Sequence, residues 1–562
     1  MKNKLKYITG SLLCGALFFS SCSKKIDEAY ANPNANVRQP VEVIFPSLIG
    51  SIVGSSSAAG SAYGLAGDAL LIGRYIQFWG TYSTTSSPVS PTSSNTSNYD
   101  RMGGTVGTSD NLGSMWASHY YGMGQNLNRI IQWGEEEQKW DFVGAAWALR
   151  AWSMMEATNE YGEIILRQAF NSSLQQFNYD PQSEVYDSIR VICFRALDYL
   201  NRTGGNMNPA NFANSDFYFN QGDLGRWKKF VYGILARSYA YVSNKGSYDA
   251  DLVIQYADLS CTSNADNITC KFASAGTSGT NNYFGPFRGN VNASTTGIRQ
   301  SAFIADLMSG ANAEAFTGVF DPRAWYMLRP NPNGTFKGIT PWLGSSGLAT
   351  NDRPESFMGT SFLTSGYPTN PELGRYIFRD AAEWPVMTAS EMQFIKAEAL
   401  LRKGLKPAAL IAYTNGISLN FDMLTSKYNV NIPIGMEITP INKTAYLTDP
   451  NIVPPLASGL TRTKIMLQKY IAMYAWGVQN VWADMRRYHY IDIDPDTGSQ
   501  VYAGFTPPPT VDLHASNLGK LVYRCRPRYN SEYLYNIPSL TAIGAYPTNN
   551  DYHTLECWFS KP

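Results

Sequence analysis

The segment Thr388-Ala-Ser-Glu-Met-Gln-Phe-Ile-Lys-Ala-Glu-Ala-Leu-Leu-Arg-Lys-Gly404 contains the signals of one complete α-helix. Its first four residues have the Ser/Thr-x-x-Glu pattern of a capping box, in which side chains bind the free amides of the first turn. Gly404 can adopt the left-handed conformation that ends a helix. A second helical pattern, from about Pro407 to Leu419, follows at once. The segment therefore predicts a helical hairpin.

The rest of the chain contains further candidate helix pairs. Residues 183–200 place Val185, Ile189 and Ile192 on one apolar stripe. The other candidate helices cover 113–134, 138–159, 224–243, 247–258 and, as one long or broken helix, 460–489. Small residues such as Gly144-Ala145-Ala146 favour close, tetratricopeptide-like packing, although no clean repeat of about 34 residues is present. We therefore predict a mainly α-helical protein built from degenerate tetratricopeptide-like helix pairs.

Long segments rich in Gly, Ser, Thr, Asn and Pro separate these helices. They cover about 81–111, 260–298, 328–375 and 425–458. Loops of this length inside a compact protein are usually binding elements or disordered linkers. These loops contain Trp, Tyr and Phe, which disordered linkers generally avoid. We therefore expect ordered loops with a binding role, on a single domain that spans residues 41–562.

The composition favours an uncharged, ring-shaped ligand. Charged residues make up 16% of the chain, aromatic residues make up 13%, and the formal net charge is +1. An average soluble protein has about 25% charged residues. A surface of this kind suits stacking on aromatic faces better than long-range attraction of nucleic acids or anionic membranes. We therefore expect no nucleic-acid partner, and we expect many of the aromatic residues to fill the core.

The N-terminus has the pattern of a lipoprotein signal. Lysines near the start precede an apolar stretch, Ile8 to Phe19, that is too short to span a bilayer. The small pair Ser20-Ser21 then stands directly before Cys22, as in a lipobox, where the thiol is acylated. We therefore expect a signal peptide over 1–21, lipidation of Cys22 and a polar tether over 22–40.

The sequence shows no pattern of metal or cofactor binding. No Cys-x-x-Cys pair is present, and the four histidines lie far apart along the chain. Cys261 and Cys270 bracket a short polar loop and could form a local disulfide in an oxidising compartment. We expect no metal site and no cofactor.

Catalytic motifs are also absent from the sequence. It has no phosphate-binding loop, no complete dinucleotide fingerprint and no His-Glu-x-x-His motif. Glu160 and Glu163 could form a carboxylate pair for glycoside hydrolysis, but their place beside Tyr161-Gly162 is explained by capping and solvation at a helix end. Asp484 and Arg487, three residues apart, indicate an ordinary intrahelical ion pair. We expect no catalytic residues.

The candidate ligand-binding residues are aromatic residues in or beside the loops. Trp79 and Tyr82 lie where a predicted helix gives way to the first polar loop, which suggests an exposed edge. Tyr283 lies in a Gly/Asn-rich loop, and Trp325 and Trp342 lie near the start of a later one. Sugar rings stack on such faces, and nearby polar side chains bind the hydroxyl groups. By contrast, we predict that the tryptophans on helical stripes belong to the core: Trp116, Trp147, Trp152, Trp476 and Trp482.

Several segments, in order along the chain, resemble the SusD/RagB family of nutrient-binding lipoproteins. They are the lipobox with Asn32-Pro33-Asn34, Trp152–Gly162, Asp321-Pro322-Arg323 with Gly334–Gly338, Pro385–Ala399, Lys464–Ala472 with Trp482–Arg487, and Arg526–Glu532. The last segment has Tyr529-Asn530 where Tyr-Pro is more usual in the family. The resemblance implies a SusD-like fold, in which four helix-pair units form a scaffold and irregular loops form the binding face.

The resemblance also implies a function and a partner. Members of this family are non-catalytic lipoproteins of the outer membrane that face outwards, capture an oligosaccharide or sometimes a peptide, and sit as a lid over a SusC-like TonB-dependent transporter. We expect the same of this chain, with an oligosaccharide as its ligand. Two other classes stay open: a lid or stabilising subunit with no ligand of its own, and a surface-anchored hydrolase.

Overall fold

The computed structural model of the chain describes residues 38–54, 63–82, 99–106, 109–110, 112–273, 281–285, 297–357 and 374–562. The predicted signal peptide, the predicted lipidation site Cys22 and most of the predicted tether lie outside these residues. None of the helices in the described stretches has the length and hydrophobicity that would be needed to cross a lipid bilayer.

Helices make up most of the described structure. Their bounds are α1 Val41–Val53, α2 Leu65–Tyr75, α3 Ser114–Ala117, α4 Gln125–Glu136, α5 Trp140–Tyr161, α6 Gln182–Asn201, α7 Pro209–Ser215, α8 Leu224–Ala240, α9 Ala250–Leu259, α10 Ala302–Ser309, α11 Ala324–Met327, α12 Ala389–Arg402, α13 Lys406–Lys427, α14 Pro440–Thr448, α15 Arg462–Ala472, α16 Val478–Arg487 and α17 Ile537–Ala542. The mainly α-helical class is therefore confirmed.

Helices that follow one another along the chain pack as pairs. The most extensive contacts join α5 with α6, α12 with α13, and α8 with α9. Two glycines permit this close approach: a Cβ atom on Gly144 would lie 2.7 Å from Leu200 Cγ, and one on Gly416 would lie 2.9 Å from the ring of Phe394. Small residues at the contacts thus act as the sequence predicted.

The start of α12 differs from the predicted capping box in one respect. Thr388 Oγ1 accepts a hydrogen bond from the amide of Glu391 at 3.1 Å, as a capping residue does. The carboxylate of Glu391 does not turn back to Thr388; both of its oxygens accept hydrogen bonds from Arg237 of α8, each at 2.7 Å. The predicted helix start is therefore right, but only the Thr388 half of the capping box forms, because Glu391 binds Arg237 instead.

Two predicted helices are interrupted. The predicted helix 113–134 contains a π-helical segment, Ser118–Gly124, between α3 and α4. The predicted helix 460–489 is broken between Ala472 and Val478, where Ala475 has a φ of +70°. A residue with positive φ cannot continue a right-handed helix, so α15 and α16 are separate elements.

The strands are short, and two of the three pairs in the described residues join segments that are distant in sequence. Their bounds are β1 Trp79–Thr81, β2 Thr105–Val106, β3 Ser109–Asp110, β4 Ile268–Cys270, β5 Ile298–Gln300 and β6 Trp384–Met387. The pairs are antiparallel: β1 with β5, β2 with β3, and β4 with β6. The first pair places Trp79 opposite Gln300 and so fixes the end of α2 against a later loop.

One large core cluster contains buried residues from α1 through α16. Four of the five tryptophans that were predicted to be core residues are buried: Trp116, Trp152, Trp476 and Trp482. The fifth, Trp147, is partly buried and packs against the same cluster.

Buried arginine–carboxylate pairs connect the helix pairs. Arg487 of α16 makes two hydrogen bonds of 2.9 Å with the carboxylate of Glu398 on α12, and a third of 2.6 Å with Asp484. Burial disfavours the charged form of Glu398, but Arg487 and Arg402 outweigh it and lower the pKa of that carboxyl well below its usual range. The predicted intrahelical pair of Asp484 and Arg487 is present at 2.6 Å. It is not an ordinary surface pair, because both side chains are buried and Arg487 also binds Glu398 on another helix.

Cys261 and Cys270 are free, buried thiols, so the structure contains no disulfide between them. The Cys261 thiol donates a hydrogen bond to the carbonyl oxygen of Asp266 at 3.1 Å, inside the turn that the disulfide would have closed. Burial raises the pKa of Cys261 to about 12 and raises that of Cys270 well above its usual value. Both thiols are therefore protonated and unreactive at neutral pH.

Candidate ligand-binding site

Trp79 is a core residue. Its indole is fully buried, and its Nε1 donates a hydrogen bond to the carbonyl oxygen of Leu70 at 3.0 Å. The ring meets Phe284 edge to face at 5.6 Å, and Gly73 leaves room for it, since a Cβ atom there would lie 2.4 Å from the indole. The predicted exposed edge at Trp79 is therefore wrong: the pairing of β1 with β5 turns this ring inwards.

Tyr82 and Tyr283 lie close to the same core. Tyr82 is 6% exposed, and its ring faces the guanidinium of Arg299 at 4.8 Å. Burial lowers the pKa of Arg299 to about 10. Tyr283 is partly buried and packs beside Phe284 with ring centres 5.8 Å apart. Neither tyrosine presents an open face of the kind that the sequence suggested at Tyr82.

Trp325 and Trp342 are partly exposed, unlike Trp79 and Tyr82. Trp342 is partly exposed in the turn between Thr340 and Gly344. Trp325 lies on the short helix α11 and lines a cleft of about 470 Å³. The cleft lies between the segment around α11 and the segment around α14, and its lining includes Phe320, Trp325, Met436, Asn442, Tyr446 and Asp449. Of the five predicted ligand-binding residues, only Trp325 lines this cleft, here called the Trp325 cleft.

Trp325 and Phe320 form the aromatic wall of the Trp325 cleft, and the buried Phe336 packs behind them. The indole of Trp325 meets the ring of Phe336 edge to face, with centres 4.8 Å apart and planes at 83°. Phe320 packs on the same Phe336 ring at 5.7 Å. Phe320 is 42% exposed, and Met436 across the cleft is 40% exposed. These side chains offer an apolar surface at which a ring could stack.

The floor of the cleft is held by a buried ion pair. Arg323 is fully buried, and its Nη2 donates to Asp321 Oδ2 at 2.6 Å and to Gln468 Oε1 at 2.7 Å. Its Nη1 donates to Asn420 Oδ1 at 2.8 Å. The hydroxyl of Tyr446, whose ring lines the cleft, donates to Asp321 at 3.0 Å. Asp321 and Arg323 therefore fix the turn that carries Trp325 to α13, α14 and α15.

The far wall supplies a few polar groups. The side chain of Asn442 belongs to a capping box at the start of α14, where its Oδ1 accepts a hydrogen bond from the amide of Thr439 at 2.8 Å. Asp449 lies just after α14, and one of its oxygens accepts a hydrogen bond from the amide of Asn451 at 2.8 Å. A largely apolar wall opposite a few fixed polar groups is the usual arrangement of a small-molecule site.

The Trp325 cleft supports binding better than hydrolysis. Among the described residues that line it, Asp449 has the only carboxyl group, and none is a histidine, cysteine, serine or lysine. Glycoside hydrolysis generally needs two carboxyl groups that flank the bond to be cleaved.

Glu160 and Glu163 do not form an open acid/base pair. Glu160 is fully buried beside Asp68, and burial together with the charge of Asp68 raises the pKa of Glu160 well above its usual value. Glu163 instead forms an ion pair with Arg524. The expectation that solvation explains Glu160 is wrong, since its carboxyl group lies inside the protein.

No group of three His, Cys, Asp or Glu side chains in the described part of the chain is placed to hold a metal ion.

The sequence from residue 70 to residue 507 matches the profile of a SusD-like protein family described as starch-binding and associating with the outer membrane. No curated protein matches the chain.

Solved structures of several SusD homologues have the same fold. One from Bacteroides uniformis is 18% identical, with a TM-score of 0.62, and the match covers 93% of this chain and 99% of that one. One from Bacteroides fragilis is 17% identical, with a TM-score of 0.63, and the match covers 93% and 100%. A chitin-binding SusD homologue from Flavobacterium johnsoniae is 17% identical, with a TM-score of 0.59, and the match covers 92% and 98%. These likenesses confirm the predicted SusD-like fold.

Proposed function

This chain belongs to the SusD-like family of starch-binding proteins that associate with the outer membrane, and on that premise we propose that it captures an oligosaccharide at the Trp325 cleft without catalysing its hydrolysis. The observation that carries this proposal is the aromatic wall of Trp325 and Phe320, which the buried Phe336 backs and the buried Asp321–Arg323 pair supports. An apolar wall that is already fixed before binding can accept the face of a sugar ring at little cost in ordering.

The proposal also covers where the protein captures its ligand and what then receives the ligand. The protein would be anchored to the outer membrane through acylated Cys22, face outwards, and pass its ligand to a SusC-like TonB-dependent transporter. The lipobox and the family resemblance support this part.

Residues 41–562 would act as one binding domain. The described chain begins at Arg38, which is fixed to the helical scaffold by ion pairs with Glu136 and Glu137 at 2.6 and 2.8 Å.

The test is a binding screen with the unlipidated chain from residue 22, carrying Cys22→Ser. Isothermal titration with maltoheptaose and chitohexaose, with a peptide pool alongside, would measure affinity, and chromatography of the same samples would detect cleavage. We expect saturable binding of one saccharide class and no new product. Binding of peptides alone would replace the oligosaccharide as the ligand, and product formation would identify a hydrolase.

A negative result in that screen would favour the class of lid or stabilising subunit. It would then be followed by the same titrations on the purified complex with the transporter. If the complex also binds none of these probes, the capture of starch or chitin fragments is refuted.

A further inference from the structure

A second pocket, separate from the Trp325 cleft, is built from aromatic side chains around one carboxylate. It has a volume of about 250 Å³, and its lining includes Trp116, Tyr120, Tyr121, Phe170, Phe177 and Glu532. This group is called the aromatic pocket below. Its volume is below the range of roughly 300–1,000 Å³ that drug-sized ligands occupy, so it suits a single ring.

Both π-helical segments of the described chain contribute to the aromatic pocket. Ser118–Gly124 supplies Tyr120 and Tyr121, and Tyr529–Tyr533 supplies Glu532. A π-helical turn in place of an α-helical one is rare and is found frequently at functional sites. These two segments are more than 400 residues apart in sequence, so their meeting at one pocket is not a local feature of either.

The chain adopts a second unusual conformation at the same place. Phe170 has a φ of +65°, which bulky side chains seldom adopt. Its ring comes so close to Gly124 that a Cβ atom there would lie 2.3 Å from it. Tyr120 is held in turn by a hydrogen bond of 2.7 Å from its hydroxyl to the carbonyl oxygen of Ile165. The walls of the pocket are therefore fixed in position.

The base of the aromatic pocket carries the carboxylate group of Glu532. Glu532 is 6% exposed, and its Oε2 accepts hydrogen bonds from the Tyr179 hydroxyl at 2.7 Å and the Asn536 amide at 2.9 Å. Ser531 also forms a side-chain hydrogen bond with this carboxyl group. Because each carboxylate oxygen has two lone pairs, the group can still accept a hydrogen bond from a ligand hydroxyl. At the mouth, Tyr121 is 54% exposed and can cover one face of a ring.

The charges around the pocket balance, which favours an uncharged ligand. Arg528 lies 5.5 Å from the ring of Tyr121 and forms an ion pair of 2.9 Å with Asp110. Arg150 lies 5.4 Å from the ring of Phe170. These two cations offset Asp110 and Glu532, so an ammonium group would gain little from the carboxylate and would be repelled by the guanidinium groups.

We propose that the aromatic pocket is a second saccharide-binding site, which takes one uncharged sugar ring between Tyr121 and the phenylalanine side chains while Glu532 accepts a hydroxyl hydrogen bond. This inference rests on the proposed function, because it assumes that the ligand of the protein is an oligosaccharide. A second site on the same chain would hold a long glycan at two points and increase its residence time.

The test counts the sites with short saccharides. The unlipidated chain with Cys22→Ser is titrated with maltotriose and with chitotriose, and the same titrations are made on three variants: Tyr121→Ala, Glu532→Gln and Trp325→Ala. Tyr535→Ala is the matched control, because Tyr535 is a 70% exposed tyrosine in the same C-terminal region and does not line the pocket. Melting temperatures verify that each variant is folded.

We expect a stoichiometry of about two for the parent chain and the control, and of about one for Tyr121→Ala and for Trp325→Ala. Glu532→Gln is expected to weaken the affinity of the aromatic pocket for the saccharide by about tenfold, because a hydrogen bond to a charged group is lost. The variants therefore test the Trp325 cleft and the aromatic pocket separately.

Unchanged binding in both Tyr121→Ala and Glu532→Gln, together with loss of binding in Trp325→Ala, would overturn the second site alone. Loss of binding in Tyr121→Ala with no effect of Trp325→Ala would support the pocket and overturn the cleft. Absence of binding to either saccharide by the folded parent chain would overturn both proposals.

Discussion

The junction at Trp79 and the cleft at Trp325 make different use of the same residue types. In both places a tryptophan stands near the end of a helix and before a long polar loop. Trp79 is fully buried against Phe284, because β1 pairs with β5 and Gly73 makes room for the indole. Trp325 stays partly exposed, because the space beneath its turn is already filled by Asp321 and Arg323.

This difference shows what separates a core aromatic residue from a candidate stacking surface. The loop composition around each tryptophan is similar, so composition does not decide the outcome. The deciding factor is whether another segment covers the ring: β5 and Phe284 cover Trp79, whereas Phe336 supports Trp325 on its edge and leaves the wall open. Substitutions at the two tryptophans and at the residues that support them would test this difference.

Trp79→Ala is expected to lower the free energy of unfolding by about 3–5 kcal/mol, because it leaves a cavity in the core and frees the Leu70 carbonyl. Urea unfolding followed by circular dichroism measures the change. Trp342→Ala, at a partly exposed tryptophan, is the control and is expected to cost much less. A loss below about 1 kcal/mol for Trp79→Ala would mean that the indole is not a core residue.

Asp321→Asn is expected to cost about 3 kcal/mol, because Arg323 would stay buried without its charged partner. The same change should weaken saccharide binding, since the turn that carries Trp325 loses its support. Asp187→Asn is the matched control: Asp187 pairs with Arg190, but its side chain is 77% exposed, so we expect a change near zero. Equal effects of the two changes would contradict the role given to the buried pair.

Trp325→Ala is expected to weaken saccharide binding by at least about tenfold, because aromatic side chains at the centre of a site contribute most to affinity. Its effect on the free energy of unfolding should be smaller than that of Trp79→Ala, because the ring is only partly buried. Titration calorimetry and urea unfolding on the same samples measure both. A large loss of stability with binding intact would reverse the contrast between the two tryptophans.

Tyr82→Leu is expected to cost about 1 kcal/mol of stability through loss of the cation–π contact with Arg299. Tyr82→Phe keeps the aromatic face and should retain most of this energy. Thermal and urea unfolding compare the two variants. If Tyr82→Leu leaves stability unchanged but weakens saccharide binding, Tyr82 belongs to the ligand site and not to the core edge.

The helical scaffold could be predicted from the sequence because its signals are local. The stripe of Val185, Ile189 and Ile192 predicted 183–200, and the structure has α6 at Gln182–Asn201. Thr388 predicted the start of α12 in the same way. Apolar periodicity and caps depend on neighbours within one or two turns, so they can be interpreted without knowledge of the fold.

Most of the candidate site could not be predicted, because burial depends on distant segments. Nothing near Trp79 in the sequence indicates Phe284 as its cover, and nothing near Phe320 indicates the α14 segment as the opposite wall. The Asp321-Pro322-Arg323 segment is distinctive in the sequence only through its family resemblance, and no local pattern predicts its position beneath the cleft. The π-helical turn beside Gly124 had no distinctive sequence signal, since a glycine before a helix has many other uses.

The buried arginine–carboxylate pairs determine how the scaffold responds to the salt concentration. At about 0.15 M ionic strength the Debye length is about 8 Å, and exposed ion pairs are screened. Mobile ions cannot enter between Arg237 and Glu391, or between Arg323 and Asp321, where the charged atoms are 2.7 and 2.6 Å apart and the side chains are fully buried. The attraction within these pairs should therefore be nearly the same in dilute and in saline surroundings. A protein that is displayed outside the cell, as proposed here, would then keep its scaffold and the floor of its cleft unchanged when the salinity around the cell changes.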